Sequence, residues 1–319
     1  MKSNFCPAPW NSLYYNTDTA SVCCVNKHRT KCSPKEFLNS QFLHELRTNI
    51  SNDVRDESCA SCWQAEDVGL QSIRKHYISR YKEFSSLQHM EIRASNLCNF
   101  ACIMCDAESS SRIANQVFNI TDDNWNEILE FVDDVKTLFI TGGEPMLIKR
   151  YYDLLDYLVD KDRKDISLNI YTNCSVVNQK FIDRITKLNT TLHLSIDGVD
   201  VFAEKQRVGT NWQDVRKNVL TFMQLPVKTE IHTTLTAFSI IGIESMAKFL
   251  CELHEVNPTT RFKAHTITSP AKLTCDKAAN VKVIHQIDAA ISILKQDCFE
   301  QYRNELMSVK NMLSSKLKP

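Results

Sequence analysis

Residues 191–197 read Thr-Leu-His-Leu-Ser-Ile-Asp, an alternation that sets Leu192, Leu194 and Ile196 on one face against His193, Ser195 and Asp197 on the other. The same period runs through 166–172, where Ile166, Leu168 and Ile170 oppose Ser167, Asn169 and Tyr171. In 88–95 Met90 and Ile92 oppose Glu91, Arg93 and Ser95, and in 227–236 Val227, Ile231 and Leu235 oppose Lys228, Glu230, His232 and Thr234. Strands of a doubly wound sheet are covered on both faces and read as continuous apolar runs. A closed eight-stranded barrel fills its lumen with Val, Ile and Leu. A polar concave face backed by apolar contacts to helices predicts an incomplete barrel whose lumen holds a large polar ligand. An antiparallel sheet with one solvated face competes with this, and the helical stretches between the strands disfavour it.

Working outward, further strands are expected at 135–141 and 261–268, with helices near 108–118, 148–161, 178–188, 212–224 and 243–254 and a long helical tract at 278–315. Six βα units in succession imply parallel strands joined by right-handed crossovers. The fold class is therefore α/β, a partial six-unit TIM-like barrel over 86–275, preceded by a small Cys-rich segment (1–85) and followed by a helical extension (276–319). The first 80 residues are irregular, with one amphipathic stretch from Pro34 to Asn49, and carry little apolar material for a core of their own.

The chain has 319 residues, 43% of them apolar, which fits one large domain or one large and one small and excludes disorder or a small disulfide scaffold. Lys and Arg number 38, as do Asp and Glu, so no whole-chain field draws it to nucleic acid or to a membrane surface. No stretch approaches the ~18 apolar residues of a membrane span, and the N-terminus lacks an apolar signal region. A cytoplasmic, reducing setting is expected, and there 13 cysteines point to metal binding or catalysis before disulfides.

The cysteines concentrate after the first barrel strand in Ser95-Asn96-Leu97-Cys98-Asn99-Phe100-Ala101-Cys102-Ile103-Met104-Cys105. Three thiols on one loop can converge on one inorganic centre and leave a position open, as catalysis requires. A structural zinc site would need a fourth ligand, for which only Asp106 and Glu108 are near. After the second strand comes Thr141-Gly142-Gly143-Glu144-Pro145, which spends two of only six glycines where the backbone must turn sharply or approach something closely. Both motifs fall at strand C-termini, where parallel α/β folds gather their active sites.

With these motifs the chain resembles the radical S-adenosylmethionine (radical SAM) superfamily over about residues 88–270, through its CxxxCxφC loop (Cys98, Cys102, Cys105) and its GGEP turn (Gly142 to Pro145). The resemblance implies that the three thiolates hold a [4Fe–4S] cluster whose free iron is chelated by S-adenosylmethionine, with the GGEP carbonyls and Glu144 receiving the amino group. Asn173, Ser195 and Asp197 would lie on the ribose side, and Arg207 would pair with the methionine carboxylate through its planar fork. Met104 stands where the family usually has an aromatic residue near adenine, and a thioether can cover a ring equally. Cys174 occupies a position where glycine is common and is read as a buried small residue.

The amino-terminal Phe5-Cys6-Pro7-Ala8-Pro9-Trp10, Val22-Cys23-Cys24 and Cys59-Ala60-Ser61-Cys62-Trp63 resemble the auxiliary-cluster modules called twitch or SPASM domains, which usually follow the barrel. Cys6, Cys23, Cys59 and Cys62 would complete a second [4Fe–4S] site. Adjacent cysteines point to opposite faces, so Cys23 or Cys24 serves, not both, and Cys23 is preferred. Zinc with the same four ligands is the alternative. Cys32, Cys251, Cys275 and Cys298 receive no role, nor do His76 and His254.

By this resemblance a flavodoxin- or ferredoxin-type donor supplies one electron, and reductive cleavage of S-adenosylmethionine gives a 5′-deoxyadenosyl radical that abstracts a hydrogen from a reactant in the lumen. The expected reactant is a peptide or protein side chain; a sugar, aminocyclitol or nucleoside-like molecule is the alternative, and a non-enzymatic iron–sulfur or zinc protein the third reading. Lys228, Glu230, His232, Lys263 and His265 are expected to face the reactant, an assignment that a one-residue slip in register would invert.

Overall fold

The computed structural model describes residues 3–67, 69, 71–81 and 86–317; the boundary expected after residue 85 therefore falls at 82–85, outside the described residues. Eleven strands are found among those described: β1 (Ser12–Asn16), β2 (Thr19–Ser21), β3 (Thr30–Lys31), β4 (His89–Arg93), β5 (Ala101–Cys102), β6 (Thr137–Ile140), β7 (Ser167–Thr172), β8 (Thr190–Ser195), β9 (Arg207–Val208), β10 (Lys228–Leu235) and β11 (Arg261–Thr266). Nine form one sheet ordered β11-β10-β8-β7-β6-β4-β1-β2-β3, while β5 and β9 make a separate antiparallel ribbon. The six expected strands are consecutive parallel neighbours. Their apolar faces pack outward against the helices, with Ile92, Leu138, Ile170, Leu192, Leu194 and Ile231 fully buried; each such side chain contributes ~1.5–3 kcal/mol.

A seventh parallel strand, β1, joins the sheet beside β4, and β2 and β3 continue it antiparallel. The amino-terminal residues thus extend the barrel sheet. No alternation announced this strand, because all five of its residues are buried.

The helix expected at 108–118 shrinks to Ser111–Ala114, stopped at Asn115 by a left-handed backbone (φ 54°). The crossover helix is Asp122–Val132, capped by Thr121, whose hydroxyl accepts from the Asn124 N–H, with Asp122 and Asp123 favouring its N-terminus. The C-terminal tract divides into Val281–Ile293 and Glu300–Lys316. Arg303 donates to the Leu294 and Gln296 carbonyls at the break, satisfying the end of the first helix. The last helix also protects the sheet edge. Gln301 accepts from the Ala264 N–H (2.8 Å) and donates to its carbonyl (2.7 Å), and Glu305 accepts from the Thr266 N–H (2.7 Å). An edge strand left unpaired would be a template for aggregation.

The sheet curls around a cavity of about 760 Å³ walled by Glu91, Phe139, Asn169, Tyr171, His193, Glu230 and Lys263, one or more from each central strand. This is the polar lumen expected from the alternation. Among the described residues no helix is long and apolar enough to cross a membrane.

Candidate active site

The Cys98–Cys105 loop is fixed before any ligand arrives. Asn96, fully buried, donates to the Ala107 and Gln116 carbonyls (3.0 and 3.2 Å) and accepts from the Phe118 N–H (2.8 Å). Ser95 donates to the Phe118 carbonyl. The β5–β9 ribbon places Cys102 opposite Arg207. The GGEP turn is pinned to the same loop, Gly143 N–H to the Ser95 carbonyl (3.0 Å) and Glu144 N–H to the Leu97 carbonyl (2.8 Å). A Cβ on Gly143 would meet the Leu97 oxygen at 2.0 Å, and one on Gly142, which has φ 108°, would meet the Ser95 oxygen at 2.6 Å. The two glycines let the turn and the cysteine loop touch backbone to backbone.

Cys98, Cys102, Cys105, Gly142, Gly143, Asn173, Ser195 and Arg207 all line the lumen. Cys98 Sγ accepts from the Phe100 N–H (3.5 Å) and from Asn173 Nδ2 (3.7 Å). The Cys105 thiol donates to Cys102 and, with Arg207 nearby, draws the Cys102 thiol down against the opposing effect of burial. Three thiols, one of them readily ionised and beside a cation, fit a cluster with one iron left open. The cofactor pair of such a site is a [4Fe–4S] cluster and S-adenosylmethionine.

Two of the residues expected to touch the cofactor lie behind the lumen wall. Glu144 is fully buried and does not line the lumen; its carboxylate accepts from Thr172 Oγ1 (2.9 Å), Asn173 N–H (2.8 Å) and Met146 N–H (3.3 Å). It ties the turn after β6 to the end of β7. Burial pushes its carboxyl up to about 7 despite these donors. Asp197, also buried and away from the lumen wall, accepts from Arg207 Nε (2.7 Å) and from the Thr234 N–H (2.7 Å). It holds Arg207 at the wall, where ribose contact was expected of it. Pro145 is buried in the short turn Pro145–Leu147, and Met104 packs half-buried against the core without lining the lumen. Cys174 is buried with φ 61°, a left-handed conformation that accounts for glycine elsewhere at such a position.

Cys6, Cys23, Cys59 and Cys62 surround a second, small pocket completed by Asn26, Trp63, Ile73, Arg74 and Tyr77. Cys24 instead faces the large lumen. Burial, reinforced by neighbouring thiols, pushes Cys6 up to about 12 and Cys59 up to about 11. Four crowded thiols in an apolar pocket fit a positively charged centre that would ionise them. Arg74 supports the arrangement, paired with Glu66, donating to the Phe5 carbonyl (2.7 Å) and lying over the Trp63 ring. Ile73 and Tyr77 wall both the pocket and the lumen.

Lys228, Glu230, Lys263 and His265 line the lumen as their register implied, and His232 joins them through Glu230. Glu230 Oε1 also meets His193 Nδ1 (3.2 Å) and Lys263 Nζ (2.9 Å), and these cations and imidazoles hold its carboxyl well below the carboxylate range despite burial. His265 pairs with Thr234 Oγ1 (3.2 Å). Glu91, Tyr171, His193, His76 and Arg80 were not singled out by sequence, yet they face the lumen. His193 stood on the polar face of 191–197, whereas His76 carried no pattern. His254 packs on Phe299 at the C-terminal helices.

The family model described as the radical SAM superfamily matches residues 92–250. Over 169 residues the chain is 25% identical to an uncharacterised protein of Methanocaldococcus jannaschii, covering 51% of this chain and 58% of that protein. Over 116 residues it is 25% identical to the GTP 3′,8-cyclase of Campylobacter lari, covering 35% of each. The chain thus spans at most about three-fifths of the curated relatives it matches. Similar solved structures include SuiB of Streptococcus suis bound to precursor peptide SuiA (TM-score 0.49, 17% identity, 84% of this chain and 64% of that one). Native anSMEcpe with bound AdoMet is another (TM-score 0.48, 17% identity, 67% and 61%). The cysteine loop and the Gly142–Pro145 turn both lie inside the matched span, and the chain belongs to the radical SAM superfamily.

Proposed function

We propose that this enzyme binds S-adenosylmethionine and a second reactant in one lumen, with a [4Fe–4S] cluster on Cys98, Cys102 and Cys105 and an auxiliary cluster on Cys6, Cys23, Cys59 and Cys62. The observation that carries this reading is the convergence of three thiols, two glycines, Asn173, Ser195 and Arg207 on a single cavity wall. When bound, the cofactor pair supplies reductive C–S cleavage and a 5′-deoxyadenosyl radical able to take a hydrogen atom. Arg207, braced by Asp197, presents its guanidinium to the methionine carboxylate. The Gly142 and Gly143 carbonyls take the amino group, and Asn173 and Ser195 take the ribose. Cys24, His76, Tyr77 and Arg80 wall the lumen on its amino-terminal side and exclude water there.

The auxiliary site shares Ile73 and Tyr77 with the lumen, a separation of one side-chain layer that suits electron relay from a flavodoxin- or ferredoxin-type partner or from the reactant. The reactant is a peptide or protein side chain, the class that auxiliary-cluster modules suggest. A small polar molecule is the second reading, favoured by a cavity of about 760 Å³, a size usual for small-molecule sites. Dithionite-reduced protein should show a [4Fe–4S]⁺ EPR signal whose g-values move when S-adenosylmethionine is added, and Cys59→Ala should keep that response. A spectrum indifferent to S-adenosylmethionine overturns the reading.

A further inference from the structure

His193 and Glu230 line the lumen from neighbouring parallel strands, with Glu230 opposite His193 in the β8–β10 register, and His232 meets Glu230 from the same strand. His193 Nδ1 lies 3.2 Å from Glu230 Oε1 and 3.1 Å from His232 Nε2, and His232 Nε2 lies 2.5 Å from the same Glu230 oxygen. Ligand atoms ~2.1 Å from one ion and at right angles to each other stand ~3.0 Å apart. Two of the three separations are near that spacing, and the third, between His232 Nε2 and Glu230 Oε1, is a short hydrogen bond that an ion would open.

The protons point the same way. Asn169 Nδ2 donates to the Ser167 carbonyl (3.0 Å), which turns Asn169 Oδ1 toward His193 Nε2 (3.0 Å). His193 must then carry its proton on Nε2 and present the Nδ1 lone pair to the cluster. That lone pair faces a carboxylate oxygen, which also only accepts. One N–H from His232 can serve one of these two acceptors in line, and a cation among the three atoms satisfies all of them. Tyr171 stacks on the His193 ring at 4.2 Å and 5°, fixing its plane, so the imidazole is oriented as a metal ligand's is, by a partner on its far nitrogen. Lys263, half exposed, adds a movable ammonium to the same oxygen and is the group an ion would displace.

We propose that His193, Glu230 and His232 form a divalent metal site in the lumen, taking a first-row ion of the Mn²⁺, Fe²⁺ or Zn²⁺ type. Two imidazoles and one carboxylate leave coordination positions open, and His193 and Glu230 line the cavity, so those positions face the reactant. There the ion anchors an oxygen donor such as a carboxylate or hydroxyl. Only this anchoring role rests on the radical reading of the lumen; the metal site stands apart from it.

The test is titration of the cluster-reconstituted protein with Mn²⁺, followed by the EPR signal of the free ion, because Mn²⁺ competes poorly for thiolates. One bound equivalent is expected, with affinity falling at least tenfold in His232→Ala and in Glu230→Gln. Mn²⁺ should also raise the melting temperature of the wild type and not of His232→Ala, whose circular dichroism and iron content report whether it has folded. No uptake by the wild type, or uptake that both lumen variants leave unchanged, overturns the proposal. Neither result depends on cleavage of S-adenosylmethionine.

Discussion

Gly143 and Glu144 are adjacent, and each does something the motif alone does not reveal. Gly143 is small because the Leu97 carbonyl occupies the space a Cβ would fill. Gly143→Ala must push the turn off the cysteine loop, at a cost of ~1–3 kcal/mol. Its iron content after reconstitution should fall, and full iron with an unchanged melting temperature would contradict the packing described. Glu144 is a buried acceptor for three donors. Glu144→Gln turns an N–H₂ against one of them, and the expected loss is ~1–3 kcal/mol. The carboxyl also sets a pH dependence. Its folded value of about 7 lies above the ordinary 4.5, so its contribution is fully present below pH 4.5 and is lost as the pH rises through 7. The melting temperature of the wild type should fall between pH 5 and 8 more steeply than that of Glu144→Gln, and parallel curves would show that Glu144 is ionised throughout. The sequence marked both residues as important through the GGEP turn. It could not show that the turn faces the lumen with its backbone and the core with its carboxylate, since that depends on where the end of β7 lies.

At the scale of elements, period-two alternation made the central strands legible, because each has one face on helices and one on the lumen. It failed for Ser12–Asn16, buried on both faces, and the amino-terminal cysteines were read as a separate segment although β1 ties them into the sheet. The helix Asp122–Val132 lies outside the helices expected from sequence, although Thr121, the two aspartates and the spacing of Trp125, Ile128 and Val132 mark it. The stretch 108–118, read as a helix before it, is mostly loop gathered around Asn96. The four thiols of the second pocket, Cys23 among them, were legible as a set. What supports them was not. Arg74 and Glu66 are both mostly buried and paired, and breaking such a pair by removing one partner costs ~3–5 kcal/mol. Arg74→Ala should therefore lower both the melting temperature and the iron bound at the second site while sparing the first. Equal loss at the two sites would contradict a local role. Gln301 and Glu305 offer a second test at this scale. Replacing both by alanine frees backbone groups of β11 and should promote self-association, measured by light scattering.

For the whole molecule, the chief consequence of the fold is that a small pocket lined by Cys6, Cys23, Cys59 and Cys62 shares the wall residues Ile73 and Tyr77 with the polar lumen that Cys98, Cys102 and Cys105 line. Although the chain is neutral overall, Arg80, Arg93, Arg207, Lys228, Arg261 and Lys263 line that lumen against Glu91 and Glu230, so an excess of positive charge faces the reactant. The proposed function requires that S-adenosylmethionine be cleaved in the lumen at the Cys98, Cys102 and Cys105 site. Anaerobically reconstituted protein, reduced with dithionite and given S-adenosylmethionine, is the direct measurement, with 5′-deoxyadenosine quantified by chromatography. 5′-Deoxyadenosine is expected from the wild type and none above background from Cys102→Ala; no product from a wild type with its full iron, or undiminished product from Cys102→Ala, would contradict cleavage at this site.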